Sequence, residues 1–256
     1  MMEERAGQNK KHLVISIMSP ILVLVIWEVF SRLSVVDSRF LPPPTRVFVA
    51  LISTIADGVL FIHMKATLFR VLAGFFCGAV PAVIIGIIMG LAGSVRAFMR
   101  PLIIISYPVP KIALFPVVML FFGHGDFSNV LIVSVGVFFP VLYNTLGGVT
   151  GIHRIYWDVA ANFSAKGVKL FLTVALPGAL PSIFTGLKLG IGMSLITTVV
   201  TEYVGAREGL GFMIWFSWQV FSVGEMFVGI GVISVIGFVL TTLVEKLERI
   251  VIPWKA

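Results

Sequence analysis

The sequence predicts an all-α polytopic membrane protein with about six transmembrane helices. Three observations carry that expectation. The 256 residues are 58% hydrophobic, with a mean hydropathy of +1.06. Only 12% are charged, against about 25% in a soluble domain. Polar groups are too few to cover a surface in water, so lipid is the expected solvent. Finally, six apolar segments fall at roughly 13–30, 67–92, 101–122, 128–149, 183–204 and 226–247. Each suits a ~30 Å hydrocarbon core, which takes about 20 helical residues. The chain, 1–256, is expected to form a single transmembrane domain.

The segments are justified in order. The polar start "MMEERAGQNKKH" leads into an apolar run with no small-residue cleavage site, which reads as an anchor span rather than a removed signal. "LPPPTRVFVALISTIADG" reads as a proline turn followed by an amphipathic helix, with Val47, Leu51 and Ile55 at i, i+4 and i+8. The third segment holds Pro101, Pro108, Pro110 and Pro116, and is expected to be kinked or broken beside a cavity. Gly86 and Gly90 form one GxxxG, and Gly186 and Gly190 another, both read as close helix packing.

Orientation follows from the cations. With both termini inside, the inner segments hold Arg5, Lys10, Lys11, Arg96, Arg100, Arg154, Lys166, Lys169, Arg249 and Lys255. The outer ones hold Arg32, Arg39, Arg46 and Arg207. The inner set is the larger, as the positive-inside rule requires. That rule also accounts for the net charge of +7 without nucleic acid, for which no recognition motif is present. Cys77 is the sole cysteine, and His12, His63, His124 and His153 have no metal-ligand spacing. No catalytic cluster and no G-x-x-x-x-G-K-[ST] phosphate loop is found. Catalytic and metal residues are therefore expected to be none.

One stretch breaks the apolar pattern. Residues 150–182 form a half-polar connector on the inner side, between the fourth and fifth segments. It reads as two short helices: Ile155, Val159 and Phe163 share one face, and Val168, Phe171, Leu172 and Ala175 another. Asp158 sits near the first helix's N-terminus, and Ala160, Ala161, Ser164 and Ala165 permit close approach of another surface. The connector fits an interfacial helix pair or a docking element for a cytoplasmic partner.

"DVAANFSAKGVKLFLTVALPGALPSIFTGLKLG" resembles the EAA loop of ABC-importer permeases. Asp158, Val159 and Ala160 stand at the acidic-Ala-Ala triplet, and Leu176 and Pro177 at the Leu-Pro. "FLPPPTRVFVAL", "YPVPKIALFPVVMLFFGHGDFSN", "FFPVLYNTLGGV" and "TEYVGAREGLGFMI" are similar to the nitrate, sulfonate, taurine and bicarbonate branch, over roughly residues 40–250. The resemblance implies a type I ABC importer permease fold with cytoplasmic coupling helices, in the bacterial inner membrane. It implies two copies of the chain around one pathway, two separate ABC ATPase subunits that hold ATP and Mg, and a periplasmic or lipid-anchored substrate-binding protein. The chain itself is then expected to hold no cofactor. The coupling residues carried over are Asp158, Val159, Ala160, Ala161, Ser164, Ala165, Lys166, Leu176 and Pro177. Ser164 stands where the loop usually has glycine, and is expected to make the turn by a different backbone conformation.

The implied cargo is a small anion, from nitrate or bicarbonate to a sulfonate, taurine or a related organic acid. The competing classes are a secondary transporter or channel without an ATPase, and a membrane-embedded enzyme. Candidate pathway residues are the mid-span Lys111, with Tyr107 beside it, Asn144, and Thr197, Thr198 and Thr201 of the fifth segment. Lys111 reads as an anion contact or as one half of a pair with Glu28 or Glu202. The threonines read as pathway lining or as helix glue. Glu202 reads as the holder of an outer gate, with Arg70 or Arg207.

Overall fold

The computed structural model describes residues 18–33 and 37–255. Its elements are helical: α1 over residues 18–32, α2 (Pro44–Ala56), α3 (Val59–Leu91), α4 (Gly93–Ser106), a 3-10 turn (Lys111–Leu114) leading into α5 (Phe115–Phe122), α6 (Asp126–Thr150), α7 (Arg154–Asn162), α8 (Gly167–Leu170), α9 (Leu176–Gly205), α10 (Leu210–Gln219) and α11 (Val223–Val251). Among the described residues four helical stretches are long and apolar enough to cross a membrane: α3, α6, Gly167–Gly205 and α11. Gly93–Ser106 and Lys111–Phe122 reach that length only together, as a bent pair of the kind that forms a broken span or a re-entrant loop. The first predicted span, 13–30, begins outside the described residues.

The chain divides into two compact units. One runs to Phe61 and adds Met213–Ile230; the other is Ile62–Phe212 with Gly231–Ala256. In the first, the Glu28 carboxylate accepts the N–H and hydroxyl of Thr45 and so caps the start of α2, while also pairing with Arg32. The Trp27 and Phe227 rings lie 5.3 Å apart.

The second unit is built on α3, α6 and α9. Its core holds Val71, Phe75, Ala79, Val133, Val137, Val141, Leu142 and Ile191, among others. Small residues set the spacing. A Cβ on Gly78 would lie 2.3 Å from the Ser134 carbonyl oxygen, and one on Gly186 would lie 2.8 Å from Asn144 Cβ. Such contact distances require backbones that only glycine allows, as expected in lipid, where packing rather than water exclusion holds helices together.

Proline explains the broken third span. Pro101 is tolerated within α4, and Pro116 sits in the first turn of α5, where a missing N–H costs nothing. Pro108 and Pro110 fall between them, and α4 and α5 meet at 82°. The connector differs from expectation in one respect. Pro177 and Pro181 do not separate the second short helix from the fifth span. Instead α8 passes through one π-helical stretch, Phe171–Ala175, directly into α9. Pro177 has no N–H to give an i−4 carbonyl, and a π turn accommodates that gap without breaking the rod.

Candidate functional site

Helix α3 is mostly apolar, with an exposed Lys65 on one side and, on another, His63, Thr67 and Arg70 recurring at i, i+4 and i+7. These last three serve the start of α10. The Gly209 N–H donates to His63 Nδ1 at 3.0 Å, the Leu210 N–H to Thr67 Oγ1 at 2.7 Å, and the Gly211 N–H to Glu202 Oε2 at 2.8 Å. Helix N-termini leave such donors unpaired, and here side chains from α3 and α9 take them in succession.

Glu202 is the centre of this cluster. It is fully buried, at 0% exposure, and Arg70 is 6% exposed. Arg70 Nη1 donates to Glu202 Oε1 at 2.8 Å, and the Thr67 hydroxyl lies 2.9 Å from both carboxylate oxygens. Arg70 Nε donates to Asp126 Oδ1 at 2.7 Å, and Nη1 also donates to the Glu208 carbonyl at 2.6 Å. One guanidinium thus ties together α3, the first residue of α6, α9 and the loop before α10. A buried carboxylate is tolerable only when so fully bonded. Gly209 is required for it: its φ is +132°, and a Cβ there would lie 2.3 Å from Glu202 Cδ.

Of the two cations weighed for Glu202, the structure brings Arg70. Arg207 lies on the wall of an adjacent cavity of about 500 Å³, with Arg70 and His124. Asp126 and Thr67 complete the cluster and escaped sequence reasoning. Thr67 was legible as part of the polar face of α3; Asp126 stands at a helix start, where an acid has a local explanation.

The other pathway candidates separate. Thr197, Thr198 and Thr201 are buried, at 1%, 0% and 0%. Thr201 donates to the Thr198 carbonyl, and Thr197 packs where a Gly136 Cβ would be, 3.0 Å away. All three therefore face the interior of this chain, and Thr197 meets α6. The open face of α9 is instead apolar, with Leu189, Met193, Ile196 and Val204 exposed. Asn144 donates to the Pro140 carbonyl of its own helix. Lys111 does not pair with Glu202: it donates to the Ser106 and Tyr107 carbonyls at the end of α4. Its ammonium also lies 4.4 Å from the Phe139 ring centroid and 5.5 Å from that of Tyr107. Tyr107 in turn packs edge-on against Tyr143 at 5.1 Å.

The connector forms an ordered turn. The Ala165 N–H donates to the Ala160 carbonyl and the Ser164 N–H to the Ala161 carbonyl, each at 2.9 Å. These are the paired bonds of a Schellman C-cap, whose C′ residue takes the left-handed conformation. Ser164 does so, with φ +53°. The expected different backbone conformation is therefore corrected: serine adopts the one that glycine would. Ala160 and Ala165, each 7% exposed, make the hydrophobic contact across the motif. Val159, Ala161, Ser164 and Lys166 remain exposed, and Leu176 and Pro177 are half-buried at the start of α9. Asp158 is exposed too, with a loose 3.9 Å pairing to Arg154. Around them Tyr156, Phe163 and Val168 expose 61%, 76% and 73% of their surfaces. The connector thus exposes large apolar side chains beside its polar ones.

Several helices of membrane-spanning length and a buried polar tie among three of them define a multi-pass membrane protein. Residues 82–253 match the family of binding-protein-dependent transport system inner membrane components. The taurine transport system permease protein TauC of Escherichia coli is 33% identical over 250 residues, 95% of this chain and 90% of that one. The formylaminopyrimidine transport permease protein ThiX of Halalkalibacterium halodurans is 29% identical, over 92% of this chain and 93% of its own. The nitrate import permease protein NrtB of Leptolyngbya laminosa is 29% identical, over 77% and 71%. The chain belongs to the family of binding-protein-dependent transport system inner membrane components: it is a permease subunit of an ABC importer, not an enzyme.

Proposed function

We propose that the chain imports a small anion as a homodimer in the bacterial inner membrane, with both termini in the cytoplasm. Two separate ATPase subunits, which carry ATP and Mg, engage α7 and α8. A periplasmic or lipid-anchored binding protein delivers the substrate from outside. The observation that carries this reading is the run from an exposed docking turn through α8 into α9 as one helical rod. Movement of the ATPases would act on Phe163 and Val168 and be transmitted along α9 to Glu202. Arg70, Asp126 and Glu202 then close the outer end, because they fasten α3, α6 and α9 to one another. The exposed apolar stripe Leu189, Met193 and Ile196 supplies the contact between the two copies, which a two-fold pair makes with the same residues on each side.

An anionic cargo is favoured by the relative named for nitrate and, more weakly, by the one named for taurine, a zwitterion whose sulfonate is its anionic end. ThiX, named for formylaminopyrimidine, supplies the second reading, a neutral heterocycle. The test is ATP-dependent uptake by the reconstituted complex with its binding protein. Uptake of a sulfonate or nitrate, and none of a formylaminopyrimidine, supports the anion. The converse selects the heterocycle.

A further inference from the structure

The cleft between α4 and α6 carries cations and no acid. No Asp or Glu occurs between Asp57 and Asp126, or between Asp126 and Asp158, so neither helix supplies a counter-charge within the cleft. At one end Arg96 and Arg100 line a cavity of about 370 Å³, with Tyr143 and Thr150 as further polar walls and Ile104 and Leu142 as apolar ones. Arg96 Nε and Nη2 donate to the Met89 and Gly90 carbonyls at 2.9 and 2.8 Å, so its charge meets the end of α3 and not a carboxylate. Among the described residues the Arg100 side chain has no hydrogen-bonding or ionic partner. Tyr143 leads on to Tyr107, and Tyr107 to Lys111 at the break before α5. Cations and aromatic rings therefore alternate along one cleft.

Arg96, tied to carbonyls at the end of α3, and Arg100, exposed and free of any acid, make this cavity wall electropositive. Their forked N–H groups match the oxygens of sulfonate, carboxylate and phosphate. The apolar wall excludes a purely inorganic ion as the best fit and favours a ligand with a hydrocarbon portion.

We propose that the Arg96–Arg100 cavity binds the head of an amphiphilic anion, with Arg100 as the principal contact and Leu142 and Ile104 against its apolar part. Such a head has two sources: the transported solute, which rests on the anion reading above, or an anionic phospholipid of the surrounding bilayer. Arg100→Gln removes the charge while breaking no bond that the chain makes, and Arg100→Lys restores the charge without the fork.

The test uses the complete importer complex in nanodiscs of phosphatidylcholine alone, titrated with 1-butanesulfonate by calorimetry. A second preparation contains phosphatidylglycerol, and native mass spectrometry counts the molecules retained. Saturable butanesulfonate binding, weakened at least tenfold by Arg100→Gln and partly restored by Arg100→Lys, places the solute in the cavity. Phosphatidylglycerol retained by the unaltered complex and lost from Arg100→Gln, without butanesulfonate binding, assigns the cavity to lipid. Either supports an anion site. If neither ligand responds to the Arg100 variants, the proposal is overturned. The ATPase content of the same preparations reports separately on the importer reading, so the two can fail independently.

Discussion

Arg70 and Glu202 form an ion pair at 2.8 Å with both side chains sealed from solvent, one on α3 and one on α9. Removing one partner of such a pair costs about 3–5 kcal/mol, because a buried charge is left without compensation. Arg70→Met is therefore expected to lower the unfolding temperature of the purified complex sharply. Asp126→Asn, at the exposed end of the same guanidinium, is expected to cost under about 1 kcal/mol. Equal losses for the two variants would contradict the placement of Glu202 at the buried centre.

Gly209→Ala tests the same cluster from its backbone. The added methyl would meet the Glu202 carboxyl carbon, and the φ of +132° disfavours any L side chain. Destabilisation comparable to that of Arg70→Met is expected, and the double variant should lose less than the sum, since both act on one group. Full additivity would show that the loop and the ion pair are independent.

Ser164→Gly is expected to stabilise the connector by about 1 kcal/mol, the cost of holding an L residue in the left-handed region. Hydrogen exchange at the amides of Ser164 and Ala165 should slow roughly fivefold where the loop opens locally. Unchanged or faster exchange would contradict the φ of +53°.

Much of this was legible in the sequence, for physical reasons. Apolar runs must be helical in lipid, so α3, α6 and α11 followed from composition. Pro108 and Pro110 announced the break after α4. Glu202 with Arg70 was reachable because an acid deep in an apolar helix demands a partner. What failed to read was direction. The spacing of Thr197, Thr198 and Thr201 shows a face but not what it faces, and the structure turns it inward, away from the open apolar face of α9. Lys111 suggested an acid partner, whereas an ammonium is equally well held by the free carbonyls at a helix end. Ser164 could not disclose its φ, since a serine in the left-handed region pays a small cost that the paired bonds around it offset. Arg100 drew no attention, because a cation after a short loop satisfies the positive-inside rule without further explanation.

The pairing of two copies is tested at the open face of α9. In a Cys77→Ser background, Ile196→Cys is expected to crosslink to its counterpart, with a yield that changes when a non-hydrolysable ATP analogue is added. Thr201→Cys, at a fully buried position, is expected to crosslink poorly. The reverse pattern would put a different face of α9 at the two-fold axis.

The central claim is that α7 and α8 seat an ATPase. Ala161 is exposed beside the turn, whereas Ala160 is buried within it and would disturb the turn itself. The most direct measurement is purification of the tagged full-length chain with quantitation of the ATPase subunit that accompanies it. One ATPase per permease copy is expected, lost in Ala161→Arg and kept in Ala161→Ser, with membrane insertion unchanged in both. An unaltered chain that carries no ATPase, or an Ala161→Arg variant that carries as much as the unaltered chain, would contradict the claim.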